Sequence, residues 1–136
     1  IKKYSEKFST IVKQSVIDSP WVPGVFEYLE CNYLRQKFIL VTATPKIEID
    51  EILIELNITH FFHEVFGSPV SKVNALSLGI EKFKLDLNKT IMIGDSVADY
   101  DAAQANNVPF LLRQTELNND LQKDLNCFMF RDFING

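Results

Sequence analysis

The chain has 136 residues, 46% of them hydrophobic and 24% charged, with a formal net charge of −4. That length suits one modest domain, and the composition is that of a globular chain, neither disordered nor membrane-spanning. The acidic balance argues against nucleic acid as a partner, because phosphate backbones would be repelled, and no apolar run approaches the ~20 residues of a membrane span.

The first residues, Ile1-Lys2-Lys3-Tyr4-Ser5-Glu6, have no secretory-leader pattern, which points to a cytoplasmic protein with no membrane partner. The start without Met reads as part of something longer. Cys31 and Cys127 lie far apart and outside any metal-binding spacing, so two buried, reduced thiols are expected.

In chain order, Tyr4, Phe8, Ile11, Val12 and Val16 fall on one helical stripe and predict a helix over 4–17. Two prolines and a glycine in Pro20-Trp21-Val22-Pro23-Gly24 then make a connector and the best candidate boundary. A helix over 24–35 follows, with Val25, Phe26, Leu29 and Leu34 as core contacts. Lys37-Phe38-Ile39-Leu40-Val41-Thr42 is a short, near-continuous apolar run, the pattern of a parallel strand covered on both faces. Thr44 as N-cap and Pro45 as first helical residue open a helix to about Asn57, its buried face made by Ile47, Ile49, Ile52, Leu53 and Leu56.

Val65-Phe66 is a short strand ended by Gly67-Ser68-Pro69, and a helix over 71–83 comes next. Thr90-Ile91-Met92-Ile93-Gly94 is a third strand, followed by a helix over 97–106. Val108 to Leu112 is a fourth strand. A polar helical stretch over 116–125 leads to a fifth strand at Cys127–Arg131. Alternating strands and helices predict an α/β fold: an open parallel sheet with right-handed crossovers and helices on both faces.

Ligands of such sheets sit beyond the carboxyl ends of the strands. That edge should collect Thr42, Lys72, Asp95 and Asp99. A hydroxyl with the N–H groups after it can bind phosphate oxygens, a lysine can neutralise phosphoryl charge, and two carboxylates four residues apart can hold a hard cation. Each also has a plainer role on its own. Asp95 and Ser96 could only cap the next helix, Thr42 could be an ordinary strand residue, and Lys72 could be a solvated surface lysine. His60 and His63 have no acidic or cysteine partner at metal spacing and read as structural. The order Thr, Lys, Asp carries more information than any member.

That order resembles the haloacid dehalogenase superfamily, in particular its phosphatases with a helical cap, related to phosphoglycolate phosphatases. Thr42 after its apolar run is similar to the second motif, with Thr44 the poorer match. Lys72 after Gly67-Ser68-Pro69-Val70-Ser71 is similar to the third, with Lys82 and Lys84 as rivals too far along the helix. Ile91-Met92-Ile93-Gly94-Asp95-Ser96-Val97-Ala98-Asp99 resembles the fourth and most specific motif.

The resemblance implies a Rossmann-like core over 20–136, with 1–19 as the end of a helical cap. It also implies Mg²⁺ as cofactor and hydrolysis of a small phosphorylated metabolite through an aspartyl-phosphate. Thr42, Lys72 and Asp95 would be catalytic, with Thr42, Ala43 and Lys72 on the substrate phosphate and Asp95 and Asp99 at the metal.

The departure is the first motif, an apolar strand followed by Asp-x-Asp that supplies the nucleophile. The sequence has none: Asp99-Tyr100-Asp101 has the letters but falls inside a predicted helix. The resemblance therefore implies an incomplete core without its central first strand, inactive alone, whose gap would be filled by a missing N-terminal segment or another chain. Two other readings stay open: a non-catalytic phosphate-binding or regulatory module of the same fold, and a phosphoacceptor receiver domain, whose residue order is different.

Overall fold

The computed structural model describes residues 10–14, 24–114, 118–125 and 127–130. Their strands are β1 (Thr10–Gln14), β2 (Lys37–Pro45), β3 (Glu64–Ser68), β4 (Thr90–Gly94), β5 (Phe110–Arg113) and β6 (Phe128–Phe130). The helices are α1 (Val25–Asn32), α2 (Lys46–Glu55), α3 (Lys72–Phe83), α4 (Val97–Ala105) and α5 (Asn119–Asp124). All strand pairs are parallel, in the order β3-β2-β1-β4-β5-β6.

Two apolar layers account for the unbroken hydrophobic runs. Phe38, Leu40, Ile91, Ile93, Leu111 and Phe130 pack with Leu29 of α1 and with Ile49 and Leu53 of α2. Their strand neighbours Ile39, Val41, Met92, Phe110 and Leu112 pack on the other face with Ala75 and Leu76 of α3 and Ala102 and Ala103 of α4. Successive strand residues point to opposite faces, so a strand covered on both must be apolar at every position. The α/β expectation and the helices on both faces are therefore observed.

The start of the chain differs from expectation. Residues 10–14, predicted helical, form β1, which pairs with β2 (Val12 opposite Ile39) and with β4 (Val12 opposite Met92). The expected central gap is thus filled by this chain's own residues. Thr10, Ile11 and Val12 are β-branched and favour a pleated conformation, and the slot satisfies their backbone groups from both sides. The rest of the predicted first helix and the Pro20–Pro23 connector lie outside the described residues.

Smaller differences have local causes. β2 runs on through Thr44 to Pro45, so Pro45 is the N-cap of α2 and Thr44 makes no cap. Ile47 is exposed, one side of the helix away from buried Ile49 and Leu53. Leu34 lies past the end of α1, where helical periodicity no longer applies, and is exposed, as is Phe26. Cys31 is exposed rather than buried, and Cys127 is half-buried. Among the described residues no helix is long and apolar enough to cross a membrane.

Candidate active site

The carboxyl edge of the sheet is shaped by two close backbone approaches. A Cβ on Gly94 would lie 2.5 Å from Asp99 Oδ2 and 2.6 Å from Asp99 Cβ. Only glycine lets the Asp99 carboxylate reach back over the strand end. A Cβ on Gly67 would likewise lie 2.7 Å from the Thr44 carbonyl oxygen and 2.8 Å from the Lys46 backbone, so Gly67 lets β3 close against the junction of β2 with α2.

Asp99 is fully buried and is the hub of the cluster. Its Oδ2 accepts from the Asp95 N–H at 3.3 Å, the Ser96 N–H at 3.2 Å and the Ser96 hydroxyl at 2.8 Å. Ser96 Oγ in turn accepts from the Asp99 N–H at 3.3 Å, completing a capping box on α4. A carboxylate and reciprocal caps at this end also oppose the positive pole of the helix. Asp99 Oδ1 forms an ion pair with Lys72 Nζ at 3.0 Å, with Lys72 only 16% exposed. Lys72 opens α3, whose N-cap Ser71 accepts from the Asn74 N–H at 3.2 Å. The pair therefore ties the starts of α3 and α4 together, and at the other end of α4 its C-cap Asn106 donates from Nδ2 to the Val73 carbonyl at 3.1 Å.

Asp95 follows β4 and is half-buried. Burial raises its carboxyl above the ordinary aspartate range, and repulsion from Asp99 adds to this. Arg113, its own backbone N–H and Lys72 pull the other way without cancelling it. A carboxylate held against a second anion is one whose ionised form a cation would favour.

Thr42 is buried within β2, short of its carboxyl end at Pro45. Its Oγ1 accepts from the Thr44 N–H at 3.1 Å, leaving the hydroxyl proton to donate. Ala43 is exposed, in the stretch between Val41 and Pro45 where the register with β3 shifts. Lys72, Asp95 and Asp99 are thus brought together. Thr42 and Ala43 share the same sheet edge but stand two strand spacings from β4, about 10 Å, with β1 between.

The rival lysines fall away. Lys82 pairs with Glu64 at the start of β3, at the opposite end of the sheet, and Lys84 is the C-cap of α3. His60 lies against Phe61 and Tyr33, and His63 against Phe83, as aromatic packing. Asp99-Tyr100-Asp101 is inside α4.

For a divalent cation, Asp95 is the fitting ligand: a hard oxygen donor whose repulsion with Asp99 the cation would relieve. Asp99 has both oxygens engaged by Ser96, the Asp95 backbone and Lys72, which suits a place behind Asp95. The described residues hold no cluster of three or more His, Cys, Asp or Glu side chains fit for a metal. Water would complete the shell of a cation held there, as is usual for Mg²⁺.

A sequence model described as haloacid dehalogenase-like hydrolase matches residues 1–112, which include every residue of this cluster. The chain belongs to that family. The core domain of a Streptococcus pneumoniae protein provisionally named a phosphoglycolate phosphatase matches with a TM-score of 0.65 at 17% identity, covering 88% of this chain and 98% of the other. A superfamily hydrolase of subfamily IA from Geobacter sulfurreducens matches at 0.67 and 19%, covering 81% of this chain and 51% of the other. YfnB from Bacillus subtilis, provisionally named a hydrolase of the superfamily and bound to magnesium, matches at 0.69 and 16%, covering 80% and 51%. At these identities the likeness is one of fold, and this chain spans about half the length of the last two. A search of curated proteins gives no match.

Two residues near this family cluster were not singled out from sequence. Arg113, at the end of β5, lowers the Asp95 carboxyl, and the strand-end rule that flagged Asp95 would have found it. Asn118 donates from Nδ2 to the Asp95 carbonyl at 2.9 Å. It sits in a polar stretch with no signal to mark it.

Proposed function

We propose that this chain is the phosphoryl-binding part of a magnesium-dependent phosphatase that cleaves a small phosphomonoester through an aspartyl-phosphate. The observation that carries the reading is the cluster of Lys72, Asp95 and Asp99 at the strand edge that also bears Thr42, within residues matched by the family.

In this reading the Thr42 hydroxyl and the N–H groups after it bind the phosphoryl oxygens. The Lys72 ammonium neutralises charge that grows on them as the bond to phosphorus changes. Asp99 keeps Lys72 aimed. Mg²⁺, held by Asp95, would offset repulsion between an anionic nucleophile and an anionic substrate. A carboxylate oxygen bonds to phosphorus as the bond to the ester oxygen breaks. That oxygen leaves as the alcohol with a proton from the acid/base of the Asp-x-Asp motif absent from this sequence. Water then hydrolyses the acyl phosphate to orthophosphate and the free carboxylate.

The described residues supply no such nucleophile: β1 ends in Lys13-Gln14. Residues 1–136 alone should therefore release no phosphate from p-nitrophenyl phosphate with Mg²⁺. Turnover that Asp95→Asn abolishes would overturn that expectation. The same feature of β1 favours a second reading, a non-catalytic phosphate-binding module. Adding an Asp-x-Asp-bearing segment in trans to a chain shortened by residues 1–19, which frees the slot that β1 fills between β2 and β4, separates the two: gain of turnover supports the phosphatase, and tight orthophosphate binding without turnover supports the module.

A further inference from the structure

Asn118 occupies the N-cap position of α5 yet makes no side-chain cap to that helix. An Asn there ordinarily stabilises a helix by about 1 kcal/mol through such a bond. Its side chain is instead buried against the sheet edge. Nδ2 donates to the Asp95 carbonyl at 2.9 Å and to the Arg113 carbonyl at 2.8 Å. Both carbonyls only accept, so the NH₂ end of the amide must face them. Oδ1 accepts from Gln122 Nε2 at 2.7 Å, one turn along α5. Gln122 Oε1 accepts in turn from Gln114 Nε2 at 3.3 Å.

The backbone of Asp95 is thereby held from two directions. Its N–H and that of Ser96 donate to Asp99 Oδ2, while its C=O is taken by Asn118. The two clamps come from residues in different elements, Asp99 in α4 and Asn118 beyond β5. With the peptide planes fixed, only side-chain torsions remain to move the carboxylate. Groups that orient a ligand from behind typically change metal affinity 10–100-fold when removed.

We propose that Asn118 is a positioning residue for the cation site: its buried amide joins the Asp95 carbonyl to the end of β5 and holds the Asp95 carboxylate in the attitude that receives the cation. This rests on the reading of Asp95 as the cation ligand. Gln122 supports it by holding the Asn118 amide in one orientation.

The test is calorimetric titration of the protein with MgCl₂, paired with hydrogen exchange at the Asp95 and Ser96 amides. Asn118→Leu should weaken Mg²⁺ binding 10–100-fold and speed exchange at those two amides but not in the centre of β4. Asn118→Ser, which keeps one donor, should recover part of the affinity. Gln122→Leu, at a half-buried position, should weaken binding less and leave the urea midpoint near wild type. Unchanged Mg²⁺ affinity in Asn118→Ser and Gln122→Leu, with binding still lost in Asp95→Asn, would overturn the positioning role alone. A wild type that gives no Mg²⁺ heat, or an Asp95→Asn variant that binds equally well, would instead overturn the reading of Asp95, and the proposal with it.

Discussion

Gly94→Ala is the sharpest test of how the site is built. The added methyl would stand 2.5–2.6 Å from Oδ2, Cβ and Cγ of Asp99. The obstruction includes Cβ, which is anchored to α4, so the start of the helix must shift as well as the carboxylate. Forcing a methyl into packed structure costs about 1–3 kcal/mol. Losing even one hydrogen bond to the buried carboxylate adds about 1.5–3 kcal/mol. Together they give a loss of about 2.5–6 kcal/mol, a large share of the 5–15 kcal/mol typical of a domain, and a melting temperature lower by about 10 °C or more. Gly79→Ala is the matched control. Its methyl would meet Ile39 Cδ1 and Phe66 Cε2 at 3.6 Å, ordinary contact, inside α3. There the same change should be neutral or stabilise by about 0.5–1 kcal/mol through helix propensity. Urea denaturation of the two variants measures both signs. A Gly94→Ala loss below about 1 kcal/mol, or a Gly79→Ala loss equal to it, would refute the claim that Asp99 requires a bare backbone beside it.

Asp95→Asn should separate stability from cation binding. Because the fold raises the Asp95 carboxyl above its ordinary 3.8, chiefly by burial, its contribution is full below the unfolded value and is lost as pH rises through the folded one. At pH 7 the ionised group is therefore a liability, and the Asn variant should melt at or above wild type while losing any Mg²⁺-induced stabilisation; a lower melting temperature at pH 7 contradicts this. Glu64 shows the opposite sign. Its hydrogen bond from Lys82 lowers its carboxyl against the opposing effect of burial, so its stabilisation is present above the ordinary 4.5 and fades as pH falls through the folded value. Glu64→Gln should cost at most about 1 kcal/mol at neutral pH, since Lys82 is largely exposed. Urea denaturation should show no loss relative to wild type at a pH where Glu64 is fully protonated.

What could be read from the sequence follows the strength of local patterning. Phe38 to Val41 and Ile91 to Ile93 are apolar at every position because α1 and α2 cover one face while α3 and α4 cover the other. Few arrangements besides a doubly covered strand demand a run that short and that unbroken. Asp95, Ser96 and Asp99 were visible as a group after β4, but the resemblance makes Asp99 a metal ligand, whereas its carboxylate closes a capping box with Ser96 and pairs with Lys72. Ile11 and Val12 were ambiguous: the same letters satisfy a helical stripe or a short strand, and only pairing with β2 and β4 decides. Asn118 was invisible because its partner Asp95 lies 23 positions away, and a polar residue in a polar stretch looks solvated until the chain is folded. Thr44 misled because Ser and Thr before a proline usually open helices, whereas here the strand continues to Pro45.

The place of β1 has a consequence for assembly. In the sheet, β2 and β3 form one unit and β4, β5 and β6 another, each built from neighbours in sequence. Within the sheet the five residues of β1 join the two units, beside the Lys72–Asp99 ion pair and the shared apolar layer that also span them. One of the β1 pairings, Thr10 with Thr90, closes a long loop whose entropy must be lost before the contact returns anything. Each half can nucleate from local contacts, whereas the hydrogen-bonded union of the sheet waits on a short keystone drawn from a distant part of the chain.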